Sequence, residues 1–95
     1  AVYDFVEDIP LSDAHPTWRT LGEIEDALPS LACVPSSLLW GMKDWCFTPE
    51  CLRRFAKVWP DAAVTEIQDA GHWVVEDAPQ EVEKELRNLT SRVIA

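Results

Sequence analysis

The sequence predicts an α/β fold built on parallel strands. Two short runs, Ser36 to Trp40 and Ala62 to Gln68, read as strands, and the stretches before, between and after them carry apolar residues at helical spacing. The order helix, strand, helix, strand, helix implies a βαβ unit. Two strands are too few to make a stable sheet of this type alone, so the pattern points to a part of a larger sheet.

The elements follow in order. Residues 1 to 16 read as irregular or partly helical, with Val2, Phe5, Val6 and Ile9 on one face and Pro10 and Pro16 interrupting any long helix. A helix is expected from Thr17 to Leu28, with Trp18, Leu21, Ile24 and Leu28 as its apolar stripe. Pro29 and Pro35 bracket a loop. The run Ser36 to Trp40, ending at Gly41, reads as a buried strand. After a loop from Gly41 to Thr48, Thr48 and Pro49 supply a hydroxyl cap and a proline at the first helical position. Leu52, Phe55, Ala56 and Trp59 then mark a helix that Pro60 and Asp61 end, with Glu50 and Arg54 as an i, i+4 pair. Ala62 to Gln68 alternates, with Val64 and Glu66 on one face, and reads as a strand nearer a sheet edge. Asp69 to Asp77 reads as a loop. Pro79 opens a last helix with Val82, Leu86, Leu89 and Val93 as its stripe and a Glu83–Arg87 pair.

Composition narrows the function classes. An apolar fraction of 47% suits a packed core and excludes disorder. No apolar run approaches the roughly 18 to 20 residues of a membrane span, and no basic start precedes an apolar stretch as in a signal peptide. Seventeen acidic against eight basic side chains give a net charge of −9, a balance that disfavours nucleic acid and anionic membranes as partners. Cys33, Cys46 and Cys51 are odd in number, which argues against a closed disulfide framework. With no second Cys or His pair to complete a zinc site, they read as small buried apolar groups, and free thiols fit a cytoplasmic location.

The chemistry-bearing residues lie just past the two strands. In open α/β sheets, ligands and catalytic groups collect beyond the C-terminal strand ends. Asp44 follows the first strand and His72 the second, and neighbouring parallel strands sit about 4.8 Å apart. An aspartate and a histidine on such adjacent loops are within reach of a hydrogen bond. Imidazole accepts and returns a proton near neutral pH, and a carboxylate on its far nitrogen fixes the tautomer and stabilises the imidazolium. Gly71 offers backbone freedom for a sharp loop before His72. Taken singly, a loop histidine is more often structural and an aspartate after a strand more often a turn residue; the matched positions bring the catalytic reading level with the structural one.

Two segments carry a family resemblance. Leu38-Leu39-Trp40-Gly41-Met42-Lys43-Asp44 resembles the segment that bears the acid after the seventh strand of α/β-hydrolases. Asp69-Ala70-Gly71-His72-Trp73, running on through Glu76 and Asp77 to Pro79, resembles that family's histidine loop. The chain order, acid before histidine, is also that of the family. Within it, Asp8-Ile9-Pro10-Leu11, His15-Pro16-Thr17-Trp18 and Thr20-Leu21 resemble the cap-to-core stretch of haloalkane dehalogenases and of the dehalogenase-like β-lactone decarboxylases of olefin biosynthesis.

The resemblance implies the C-terminal portion of an α/β-hydrolase fold. Residues 1–28 correspond to the end of the cap and a connecting helix, and residues 29–95 to the C-terminal part of the core. It implies Asp44 as the acid and His72 as the histidine of a nucleophile–acid–His triad acting on a small apolar substrate, with no metal or organic cofactor. The chain departs from the family in lacking a Gly-x-(Asp or Ser)-x-Gly elbow, since its glycines are Gly22, Gly41 and Gly71. The nucleophile is therefore expected in a missing N-terminal part. The alternative is a non-catalytic module that self-associates or pairs with that part through its sheet edge and apolar helix faces.

The remaining candidates have structural readings. His15 reads as a turn residue. Trp18, Trp40 and Trp59 read as core. Trp45 and Trp73, which flank the acid and the histidine, read as core or as the lining of an apolar pocket. Glu76 and Asp77 are expected to complement the N-terminus of the last helix.

Overall fold

In the computed structural model, residues 2–94 are described, without the side chain of Val2, so the part of the N-terminal apolar face expected at Val2 lies outside them. The chain divides into two compact units, Ala1–Ser30 and Leu31–Ala95.

The first unit holds two helices, α1 (Val2–Glu7) and α2 (Trp18–Ala27). Between them His15 is tied on both ring nitrogens. Its Nε2 donates to the Glu7 carbonyl at 3.0 Å, while Nδ1 accepts from the Thr17 amide at 3.1 Å and the Thr17 hydroxyl at 2.9 Å. The histidine thus serves as a turn residue, and the Thr17 hydroxyl is spent on it and leaves α2 without a side-chain cap. Trp18, Leu21 and Ile24 form a stripe as expected but are exposed, so Trp18 is not a core residue. Leu28, expected to end the helix, and Pro29 to Leu31, expected as loop, wind together into a 3-10 turn, Leu28–Leu31.

The second unit holds β1 (Ser37–Gly41), α3 (Pro49–Val58), β2 (Ala63–Ile67), a one-turn helix α4 (Val74–Asp77) and α5 (Pro79–Ile94). The strands pair in parallel from Ser37 with Ala63 to Gly41 with Ile67, which makes the fold α/β as predicted. Side chains alternate across a strand. Trp40 reaches Phe55 of α3, with ring centroids 6.2 Å apart, while Ser37 reaches Glu85 of α5, so α3 and α5 cover opposite faces of β1. Pro49 starts α3, but the Thr48 hydroxyl makes no cap bond; the Thr48 carbonyl instead accepts from the Cys51 amide at 2.8 Å. Residues 74–77, expected as loop, close a helical turn of their own before Pro79.

The inward face of α5 differs from the expected stripe. Val82 and Leu89 are half-buried, yet Leu86 and Val93 are exposed, and Glu85 turns inward between them. Glu85 Oε1 accepts the Ser37 hydroxyl at 2.7 Å and an Arg92 N–H at 3.4 Å, and Arg92 donates further to Ser37 Oγ at 2.7 Å and the Ser36 carbonyl at 3.2 Å. This network fastens α5 to the start of β1. The Ser37 hydroxyl leads in lowering the pKa of Glu85; partial burial opposes it, and Asn88 and Arg92 reinforce it. The Glu83–Arg87 pair forms at 2.9 Å, with both side chains exposed.

Apolar burial is thin. Among the described residues, the buried apolar side chains are Leu52, Ala70 and Ala78. Cys33 and Cys46 are exposed and Cys51 half-buried, so the thiols do not serve as core groups; all three are free. Trp40 and Trp59 are half-buried against Phe55, and Trp59 stacks at 5.5 Å from it.

At the C-terminal end of the sheet the two backbones nearly touch. A Cβ placed on Gly41 would collide with the Gly71 carbonyl oxygen and lie 2.7 Å from that of Ala70. Gly71, by contrast, has room for a side chain, its nearest neighbour being Asp77 Oδ2 at 3.6 Å, and no glycine in the described residues has a positive φ. The glycine requirement therefore falls on position 41, as space, and not on position 71, as conformational freedom.

Two stability outcomes follow. Gly41→Ala forces the 70–71 backbone away from β1 and lowers the unfolding free energy by about 2 kcal/mol, the usual cost of overpacking; a urea midpoint unchanged from the parent chain would contradict the close approach. Glu85→Gln lowers stability at pH 7 by about 1 kcal/mol through loss of charge-assisted bonds. Because folding depresses the Glu85 pKa, its contribution is fully present above the ordinary value of 4.5 and is lost as pH falls through the lowered one. The difference between parent and variant therefore shrinks below pH ~4 in paired urea titrations.

Candidate active site

Both predicted site residues stand at the C-terminal end of the sheet because β1 and β2 run parallel. The strand ladder continues past β1. The Met42 amide donates to the Ile67 carbonyl at 3.0 Å and the Lys43 amide to the Ala70 carbonyl at 2.9 Å, which ties the loop after β1 to the loop after β2. Lys43 and Asp69 add an exposed ion pair at 3.5 Å. Asp44 then turns back, its amide donating to the Gly41 carbonyl at 3.0 Å.

The Asp44 side chain is 8% exposed, and both its oxygens are used. Oδ1 accepts the amides of Cys46 and Phe47, each at 2.9 Å, a side-chain-to-backbone turn that aspartate forms readily. Oδ2 meets His72 Nδ1 at 3.1 Å. Burial pushes the Asp44 pKa up, but the Phe47 amide, the His72 imidazole and the Cys46 amide together outweigh it and hold the carboxyl below its ordinary value. Asp44 is thus a carboxylate at neutral pH.

An ionised carboxylate only accepts hydrogen bonds, so the hydrogen shared with His72 belongs to Nδ1 of the imidazole. In the neutral ring this places the free lone pair on Nε2, which has no hydrogen-bond partner among the described residues. The His72 side chain is 35% exposed, leaving Nε2 open to a reacting group. The arrangement can take a proton at Nε2 and stabilise the resulting imidazolium through Asp44.

The surroundings are aromatic. Phe47 lies 5.3 Å from the imidazole, centroid to centroid, and Trp73 meets it edge-on at 5.3 Å. Phe47 was not singled out in the sequence; its place beside the histidine comes from the Asp44 turn and from the Trp40 indole, which donates to the Phe47 carbonyl at 2.7 Å. Trp45 and Trp73 are exposed, Trp45 by 85%, so neither is a core residue. The Asp77 carboxylate, two residues before α5, has a further partner that the sequence did not indicate: Oδ2 accepts the Gly71 amide at 2.9 Å, one residue before His72. Among the described residues, no cluster of three or more His, Cys, Asp or Glu side chains has the grouping to hold a metal. Among the described residues, no helix is long and apolar enough to cross a membrane.

Comparison with known proteins gives the family. Residues 4–79 match the family model of the alpha/beta hydrolase fold. The chain is 38% identical over 88 residues to a cis-3-alkyl-4-alkyloxetan-2-one decarboxylase of Xanthomonas campestris, covering 93% of this chain and 29% of that protein. A decarboxylase of the same name from Shewanella oneidensis is 37% identical over 78 residues, covering 82% of this chain and 24% of that one. Haloalkane dehalogenase 2 of Mycobacterium bovis is 37% identical over 54 residues, covering 56% and 19%. The chain thus spans less than a third of the length of these curated relatives. No solved structure matches. With parallel strands, flanking helices and a family match over most of its length, the chain belongs to the alpha/beta hydrolase fold family.

Proposed function

We propose that Asp44 and His72 are the acid and histidine of a catalytic triad, that residues 29–95 are the C-terminal part of a hydrolase core, and that residues 1–28 end its cap. The observation that carries this reading is the Asp44 Oδ2–His72 Nδ1 contact at 3.1 Å with Nε2 left open. The nucleophile comes from a part of the fold outside these residues, since they contain no elbow. The substrate class is apolar, in keeping with the exposed Phe47 and Trp73 against the histidine and with the haloalkane and dialkyl oxetanone names of the relatives.

With an aspartate nucleophile, one carboxylate oxygen attacks carbon and the leaving group departs with its electron pair, forming an ester. His72 Nε2 then takes a proton from water as the water attacks that ester, and Asp44 holds the imidazolium formed. With a serine nucleophile, His72 deprotonates the serine directly. On a β-lactone the overall outcome is an alkene and carbon dioxide. None of these routes calls on a metal or an organic cofactor.

In a full-length form of the protein, His72→Ala lowers kcat by at least ~10³-fold on a haloalkane or β-lactone substrate, and Asp44→Asn lowers it by a comparable factor by releasing the tautomer. Full activity in His72→Ala sinks the assignment. Folding depresses the Asp44 pKa, so the support it gives His72 is complete above the ordinary value of 3.8 and is lost only as pH falls through the lowered one.

A second reading is favoured by the exposed apolar side chains beside this small sheet, among them Trp45, Phe47 and Trp73 in the loops after the strands and Val75 in α4. In it the chain is a non-catalytic module that pairs with a second copy or with a missing half. Light scattering on the 95-residue chain separates the two partners: self-association gives a dimer or larger species, whereas a monomer at ~100 µM leaves only the missing half.

A further inference from the structure

The backbone around His72 is held at several points. The Ala70 carbonyl accepts the Lys43 amide at 2.9 Å, and the Gly71 carbonyl lies against Gly41, where no side chain stands. After the histidine, the Trp73 carbonyl accepts the amides of Glu76 and Asp77 at 3.0 and 2.9 Å, closing α4. The Gly71 N–H of this turn is taken by a side chain, Asp77 Oδ2, at 2.9 Å.

We propose that Asp77 is a positioning residue for His72, its carboxylate fixing the Gly71 amide so that the imidazole stands opposite Asp44; this rests on His72 being the triad histidine. The Gly71 peptides set the direction in which the chain enters His72. Gly41 limits the carbonyl side by contact, which stops inward movement but not outward movement. Asp77 supplies the opposing tie. It is anchored by its own amide to Trp73, so residues 71 to 77 form a closed loop with His72 inside it. A hydrogen bond to an ionised acceptor is short and directional, and an error of an ångström at a catalytic base is costly. Asp77 touches neither the His72 ring nor Asp44 in any hydrogen bond among the described residues, so its action is through the backbone.

The test is NMR on the 95-residue chain, with the low-field ring Nδ1–H of His72 as the readout of its bond to Asp44. Asp77→Ala is expected to remove or shift that resonance upfield and to speed exchange of the Gly71 amide by about tenfold. Asp77→Asn, whose amide oxygen still accepts from Gly71, is expected to retain both. Unchanged His72 and Gly71 signals in Asp77→Ala overturn the proposal. Should that variant fail to fold, the parent chain decides: the Gly71 amide proton must shift in step with the titration of the Asp77 carboxyl carbon, and a Gly71 amide indifferent to it also overturns the proposal. These readouts need no substrate, so they separate this proposal from the triad assignment, which stands or falls on turnover in His72→Ala. In a full-length enzyme the same variant lowers kcat about tenfold with KM little changed, and Asp77→Asn restores it.

Discussion

The site depends on two backbones passing within contact distance where the strands end. Parallel pairing brings Gly41 beside Ile67, and the chain after β2 folds back over position 41. Any side chain there would occupy the space of the Gly71 carbonyl. Because the space is free, the Ala70 carbonyl reaches the Lys43 amide, and the acid loop and the histidine loop become one hydrogen-bonded unit. Asp44 and His72 face each other as a consequence of backbone packing, before any side-chain attraction acts.

The polar groups of this unit are closely accounted for. Asp44 spends one oxygen on holding its own loop and the other on His72, so a single carboxylate shapes the site and tunes it. Its three hydrogen bonds outweigh the cost of burial and keep it charged. At the other end of the sheet, Ser37, Glu85 and Arg92 make a second polar network that seats α5 on β1. Between these two polar anchors the apolar contribution is small, with Leu52, Ala70 and Ala78 as the buried apolar side chains.

Much of this was legible in the chain. The two strands, the helices after Pro49 and Pro79, and the pairing of Asp44 with His72 follow from periodicity, punctuation and matched loop positions, because these signals are local and repeat along the sequence. The family was legible too, through the motifs around the acid and the histidine. The α5 stripe was not. Helical spacing marks which residues share a face, but the half-buried Glu85 displaces Leu86 and Val93 because its partners, Ser37 and Arg92, lie 48 and seven residues away, and no local pattern records them. The same holds for the tryptophans: Trp45 and Trp73 are apolar by type, and only tertiary structure shows that nothing in the described residues covers them.

The sequence by itself determined that an aspartate and a histidine fall just past the ends of the two strands, since residue type and order are properties of the chain. Tertiary structure decided how they are held. It moved the glycine requirement from position 71 to position 41, gave the Asp77 carboxylate the Gly71 amide as a partner, and set Phe47 against the imidazole. The physical reason is that close approach and hydrogen-bond partnership depend on distances between segments, which follow from strand pairing and appear nowhere in the order of residues. The Asp44–His72 pair was foreseeable; the backbone clamp that sets its geometry was not.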